Sequence, residues 1–412
     1  MQTSTFIDNM QLPIHRWFRF PAGFSASWAR GVISKFGQSK SYTVFDPFVG
    51  SGTTVLAGEQ CFVKAIGIDA HPFLVKIANT KLRWRADIDS FRKSAIETLR
   101  CARSLPNGEL SYPKLIYKCY STESLHELDR LKRSWLQLHD QSPSSELIWL
   151  ALLSILRHTS YVGTAPWTYV LPRKRKKKVI RPFEAFLNQV TTMIEDIQYF
   201  HMNFIDSPQG RISFDDARNC STLDDNSVDL VITSPPYTNN YDYADALRLE
   251  MSFFGEIQKW SDLQLKVRRH LVRCCSQHMS EKDRLDVMLC DRTLGPITEE
   301  LEKTCHDLKE ERQCHGGKKK YDLMVAAYFS DLAKVWVALR RVCKASAKIC
   351  FIIGDSAPYG VYIPVEKWLG ELALFAGFES YSFEMLRNRN VKWKIGRKHR
   401  VPLHEGRLWV EG

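Results

Sequence analysis

The run Val228–Thr233, followed by Ser234, Pro235, Pro236 and Tyr237, constrains this chain more than any other stretch. Its first half is short, apolar and β-branched, the pattern of a strand buried on both faces of a parallel sheet. The two prolines then end the ladder, because neither can donate a backbone hydrogen bond. What remains is a stiff, extended segment at the carboxyl edge of a sheet, where open α/β folds carry their binding sites. That edge offers a hydroxyl on Ser234, a carbonyl on Pro235 with no ladder partner, and the ring of Tyr237 beyond Pro236. The set suits a flat group bearing an amine, with two acceptors for its N–H bonds and a ring to stack on. Diproline turns also end ordinary strands, so this reading needs a second motif.

That motif lies far upstream. Tyr42 to Asp46 reads as a strand, and Pro47, Phe48, Val49, Gly50, Ser51, Gly52, Thr53 and Thr54 as a glycine turn opening into a helix. Two glycines let a ligand lie against the backbone, and a helix N-terminus favours an anion. The turn is not the G-x-G-x-x-G of nicotinamide enzymes, because Val55 holds the third glycine position. Nor is it a P-loop, since no Gly-Lys-Ser/Thr follows. A second strand, Ala65 to Asp69, ends in a carboxylate 19 residues after Gly50. An acid at that tip is placed to hold a ribose diol.

The rest of the chain fits around these two segments. Phe24, Trp28, Val32 and Phe36 share one face of a helix that Ser25 would start. Between about Lys81 and Ser207 the βα alternation stops, and 89–103, 122–139, 146–158 and 183–200 read as helices. The sheet resumes with a strand at 211–214 and an acidic tip at Asp215, Asp216 and Ala217. After a basic, polar stretch at 257–320 the alternation returns: a helix at 321–343, a strand at 348–353, a helix at 365–375, and two final strands near 380–386 and 407–410. Counting strand tips gives about seven, an α/β doubly wound sheet with helical insertions.

With 58 Lys and Arg against 46 Asp and Glu, the net charge of +12 favours a polyanionic partner. Arg173, Lys174, Arg175, Lys176, Lys177 and Lys178 form one cationic run, close to Trp167 and Tyr169. Such a run is ordinarily a solvated loop, but beside aromatics it also suits a phosphate backbone. Eleven scattered cysteines without a C-x-x-C spacing signal neither a disulfide framework nor a zinc site, so no metal is expected. No secretory signal and no membrane-length apolar run are visible, so the expected setting is cytoplasmic, with no membrane partner.

The pair DPFVGSGTT (Asp46–Thr54) and TSPPY (Thr233–Tyr237) resembles the class I S-adenosylmethionine-dependent methyltransferases. More narrowly, it is similar to the DNA amino-methyltransferases that modify cytosine N4 or adenine N6. The resemblance implies a Rossmann-like catalytic domain over 1–84, 206–256 and 321–412. Residues 85–205 would be a helical target-recognition insertion, and 257–320 a second DNA-contacting region. By resemblance the cofactor is S-adenosylmethionine. Phe48, Gly50 and Gly52 would line its methionine part, with Asp46, Pro47, Ser51, Thr53 and Thr54 in the same turn. His15, Phe20, Pro21 and Ala22 would close the pocket, Asp69 would take the ribose, and Asp216 with Ala217 the adenine.

Ser234 in the first position of its motif is closer to the cytosine-modifying members than to the adenine ones. The implied partner is double-stranded DNA in a nucleoid setting, with a restriction or defence-system partner. Adenine N6 and RNA amines are the alternative targets. Carbon-5 methylation needs a cysteine nucleophile, in that family from a Pro-Cys pair, and no proline here precedes a cysteine.

If the cationic run meets phosphates, neutralising Arg173 to Lys178 flattens the salt dependence of DNA affinity, by roughly 0.9 in log–log slope per lost contact. An unaltered slope in fluorescence-anisotropy titrations would return the run to a solvated loop.

Overall fold

The chain's computed structural model describes residues 6–37, 41–163, 176, 178–388 and 402–412. Seven strands form one sheet: β1 (Thr43–Asp46), β2 (Lys64–Asp69), β3 (Arg211–Phe214), β4 (Val228–Thr233), β5 (Cys343–Gly354), β6 (Ser380–Asn388) and β7 (His404–Glu411). Their order is β3-β2-β1-β4-β5-β7-β6. β1 to β5 are mutually parallel, and β7 runs antiparallel between β5 and β6. The expected doubly wound α/β sheet, of the class I methyltransferase type, is therefore present.

The order reverses between β1 and β4, which pair directly through Val44 with Leu230 and Phe45 with Val231. This junction is the switch point, where a crevice opens at the carboxyl ends of the strands. Both sequence motifs begin at those two ends. Alternate strand residues feed two faces, as the pleat requires. Phe45, Ile66, Ile68, Val231 and Phe351 pack towards helices Tyr321–Val342 and Val365–Phe375. Val44, Leu230, Ile232 and Ile352 pack towards helix Ala26–Phe36, whose Trp28 and Ile33 fill the other side. Ser25 caps that helix by accepting from the Trp28 amide, as its sequence suggests.

One carboxylate ties the two strand ends together. Asp46 is buried, and its Oδ1 accepts from the Thr233 hydroxyl at 2.6 Å and the Phe48 amide at 3.0 Å. Its Oδ2 accepts from the Thr54 hydroxyl at 2.6 Å. Burial lifts this carboxyl to about 6, against the pull of the three donors.

The described residues of 85–205 fold as helices Ile88–Ser104, Lys114–Cys119, Thr122–Leu138, Pro143–Ile155 and Pro182–Phe204. Asp87, Ser121 and Ser142 cap three of them through the amides of Ser90, Ser124 and Ser145. The apolar Leu147–Leu156 stretch is almost wholly buried, in one core with Ile14, Trp17 and Phe73. The insertion thus packs onto the N-terminal segment and the first half of the sheet rather than standing apart. Its Asp196 accepts from the Ile14 amide, the Trp17 indole and the Arg16 guanidinium, clamping the segment that leads to Phe20. Residues 257–320 are mostly short turns of helix ending in Thr298–Cys314, whose Leu301, Cys305 and Leu308 pack in the core of helix Tyr321–Val342. Among the described residues, no helix is long and apolar enough to cross a membrane.

Thr233→Val keeps the volume but removes one donor to a buried charge, so it costs roughly 1.5–3 kcal/mol. Urea unfolding followed by far-UV circular dichroism measures this, and an unchanged midpoint would mean that Asp46 does not depend on the tie.

Candidate active site

The glycine turn is folded tightly against the tip of β2. Gly50 and Gly52 have φ of +52° and +90°, a region that side chains rarely adopt. A Cβ on Gly50 would meet the Phe20 ring at 3.2 Å, so the backbone and that ring already touch. The Gly50 amide donates to Asp69 Oδ2 at 2.9 Å, and the His71 amide to Oδ1 at 2.8 Å. Asp69 is thereby aimed by two backbone donors while burial raises it to about 6. At the tip of β3, the Asp216 carboxylate accepts from the Arg218 guanidinium at 2.6 Å. Arg218 also reaches Asp331 at 3.3 Å and donates to the His270 carbonyl at 3.0 Å, joining β3, helix Tyr321–Val342 and the 257–320 stretch.

An inner cavity opens over these tips. Phe20, Ala22, Pro47, Phe48, Gly50 and Asp69 line it, together with Asp216, Ala217, Ser234 and Pro236. A second, outer cavity is lined by Pro21, Ala22, Ser234, Tyr237, Asn239, Tyr241 and Tyr243, among others. Ala22, Ser234 and Tyr243 line both. The two motifs therefore share one crevice, divided at Ser234.

The wall at that division is braced from several sides. The Ser234 hydroxyl donates to the Ile352 carbonyl of β5 at 3.2 Å, which turns its remaining lone pairs outward. The Pro236 carbonyl accepts from the Tyr328 hydroxyl at 2.9 Å, and the Tyr237 amide donates to Tyr243 Oη at 3.3 Å. Tyr241 and Tyr243 meet edge-on at 4.7 Å. Ser356 donates to the Thr238 carbonyl at 2.6 Å. Buried pairs Arg268–Asp242 and Arg157–Glu250 hold the ends of this loop against the two insertions.

Not every residue expected at the site reaches it. Asp46, Thr54 and Thr53 are buried, and Asp46 and Thr54 bond to each other rather than facing the cavity. Ser51, Gly52 and Pro235 line neither cavity. His15 is also off both, buried beside Lys81, and burial with that neighbouring charge lowers it to about 3. Of the cationic run, Arg173, Lys174, Arg175 and Lys177 lie outside the described residues. Lys176 is turned inward, donating to the Arg157 carbonyl at 2.5 Å, and Lys178 is exposed.

Other wall residues carried no sequence signal. His270, Leu271 and Val272 come from the 257–320 stretch, yet they line the inner cavity. His71 lines it too, with neither ring nitrogen hydrogen-bonded among the described residues, and burial lowers it to about 4. Tyr243 belongs to the polar, aromatic loop after TSPPY, a composition that does mark a substrate-facing segment. Two groups of possible metal donors, Asp242/Cys275/His278 and Asp355/Glu366/His404, line neither cavity. In the first, Asp242 already accepts from Arg268 and from the amides of Ala244 and Asp245.

Residues 7–80 match a family model described as DNA methylase. The chain is 26% identical over 437 residues to the type II methyltransferase M.BsoBI of Geobacillus stearothermophilus, covering 96% of this chain and 85% of that protein. It is 22% identical over 401 residues to the type II methyltransferase M.AvaI of Nostoc sp. strain PCC 7120, covering 91% of this chain and 81% of that one. M.AvaI of Anabaena variabilis gives the same figures. In its motif pair, its strand order and these likenesses, the chain is similar to the DNA methylases.

Proposed function

We propose that this protein transfers a methyl group from S-adenosylmethionine to the exocyclic amine of a base in double-stranded DNA, cytosine N4 in the first instance. The observation that carries the reading is the shared crevice: Ser234 lines both the cavity over the glycine turn and the cavity beneath the TSPPY loop. The inner cavity fits the cofactor. Asp69 offers a buried carboxylate to a diol, Asp216 an acceptor to an amine, and Phe20, Phe48 and Leu74 apolar walls to the rest. When bound, that group supplies a methyl already activated on a sulfonium.

The chain's own task is then placement. An amine on a base ring is a weak nucleophile, because its lone pair is delocalised into the ring. Ser234 Oγ, its proton committed to Ile352, accepts one N–H. That contact draws the nitrogen towards tetrahedral geometry and frees the lone pair to point at the methyl. No covalent intermediate is needed, and no general base of tuned pKa either, because the methylated ring amine is acidic and gives its extra proton to water. A base reaches this site only by leaving its duplex, and Tyr237 supplies the ring on which it stacks. The helical insertion and the 257–320 stretch read the surrounding DNA in this account. A restriction or defence-system partner is part of the same proposal, by likeness to the type II enzymes.

Tritiated cofactor offered to unmodified duplex DNA and to structured RNA tests the reading. Label in DNA, recovered as an N-methylated base, is expected; label in RNA alone would overturn it. A diol donates its hydrogen bonds to ionised Asp69, whose carboxyl sits near 6. Cofactor affinity measured by calorimetry therefore falls as pH drops below about 6, up to tenfold per unit. Asp69→Asn abolishes that pH dependence and weakens binding by roughly tenfold to a hundredfold. A variant that binds as tightly as the parent at every pH would remove the ribose assignment.

A further inference from the structure

Most polar side chains in the outer cavity are committed within the protein. Its two charged liners, Arg387 and Glu405, are bound to each other at 2.8 and 3.0 Å. The Ser234 proton goes to the Ile352 carbonyl, and Tyr243 Oη takes the Tyr237 amide. Asn239 is different. It lines the cavity with Ser234 and Tyr237 and is exposed there. Its Oδ1 accepts from the Tyr241 amide at 3.2 Å, the local bond of an Asx turn. A backbone N–H needs an acceptor, so this bond settles which end of the side-chain amide is oxygen. Nδ2, with its two N–H donors, has no hydrogen-bond partner among the described residues.

The loop that carries this donor is pinned on both sides of it. The Thr238 carbonyl accepts from Ser356 at 2.6 Å, and Asn240 Oδ1 accepts from the amide and the hydroxyl of Ser276, both at 2.8 Å. One cavity therefore presents an acceptor at Ser234 Oγ and a donor at Asn239 Nδ2, each on a fixed stretch of backbone. On their Watson–Crick edges cytosine and adenine both carry an amine beside a bare ring nitrogen, N3 or N1, which is a donor next to an acceptor. Thymine and guanine carry the reverse at that edge, a carbonyl next to an N–H. An acceptor and a donor in the protein complement the first pattern and meet the second with two mismatches.

We propose that Asn239 donates from Nδ2 to the ring nitrogen beside the target amine, so that Ser234 and Asn239 together admit amine-bearing bases and reject the others. This rests on the amine-methylation reading given above and adds a second point at which the extruded base is recognised.

The test uses the full-length protein with S-adenosylmethionine, and duplexes built around a base that the parent methylates in bacteriophage DNA. Asn239→Asp keeps the shape and the acceptor for the Tyr241 amide but puts a carboxylate oxygen where the donors were. It should lower kcat/KM for DNA roughly tenfold to hundredfold, with cofactor affinity and melting temperature held. Asn239→Ser adds no charge and still offers the turn an oxygen, and it should cost roughly threefold to tenfold. A duplex with 3-deazacytosine at the target, or 1-deazaadenine if the product is N6-methyladenine, keeps the amine and loses the ring acceptor. In fluorescence-anisotropy titrations with S-adenosylhomocysteine present, the parent should bind that duplex roughly threefold to tenfold more weakly than the natural one. Asn239→Ser should bind the two alike, because the contact is already gone. An unimpaired Asn239→Asp, or a serine variant that separates the two duplexes as the parent does, would overturn the assignment and leave amine methylation standing. No methylated base from the parent would instead remove the reading of the site itself, and this inference with it.

Discussion

Asp46 is a carboxylate placed where water cannot reach it, and a charge in that position is tolerated only if donors surround it. Three do: the hydroxyls of Thr54 and Thr233 and the amide of Phe48. These donors belong to the helix after the glycine turn, to the end of β4 and to the turn itself. Satisfying one buried group therefore fixes the strand ends of β1 and β4 relative to each other, along with the start of the helix between β1 and β2. The crevice at the switch point inherits its geometry from this contact. A methyl donor over one strand tip and an amine over the other can meet only if those tips hold a set separation.

The remaining architecture closes the crevice. The N-terminal segment carrying Phe20 and Ala22 lies over it, and Asp196 in the helical insertion clamps that segment through Ile14, Arg16 and Trp17. On the opposite side Arg218 links Asp216 to Asp331 and to the His270 carbonyl, so the 257–320 stretch becomes a wall of the inner cavity. Both insertions thus brace the crevice, whatever their outer surfaces contact. The buried Arg157–Glu250 and Arg268–Asp242 pairs repeat the theme, anchoring the loop after TSPPY to each insertion in turn.

The central strands were readable in the sequence because parallel strands buried on both faces are short, β-branched runs with little else to compete for them, and the two antiparallel strands β6 and β7 as apolar–polar alternations after the last helix. The helices that were read, from their period and from caps such as Ser25, hold with ends shifted by a few residues, whereas Pro72–Lys81, Lys114–Cys119 and Thr298–Cys314 were not read. The motif pair located the crevice. What the sequence withheld is where side chains point once the chain has turned. Asp46 stands among the cofactor motif's residues, yet its oxygens are consumed inside the protein. His15 points into the core beside Lys81, and Lys176 bonds to a carbonyl instead of facing solvent. Wall residues such as Leu271, and the bulge that pairs Arg387 with Glu405, depend on long-range packing and register, which no local pattern encodes.

A crystal structure of the protein with S-adenosylhomocysteine and a DNA duplex tests the central claim most directly. The account predicts the thioether over Phe48 and Gly50 in the inner cavity, an extruded base against Tyr237 in the outer one, and the Asp46–Thr233 contact intact. The base amine should stand at Ser234, roughly 3–3.5 Å from the position a transferable methyl would take. Cofactor and base on separate surfaces, or an amine turned away from Ser234, would contradict it.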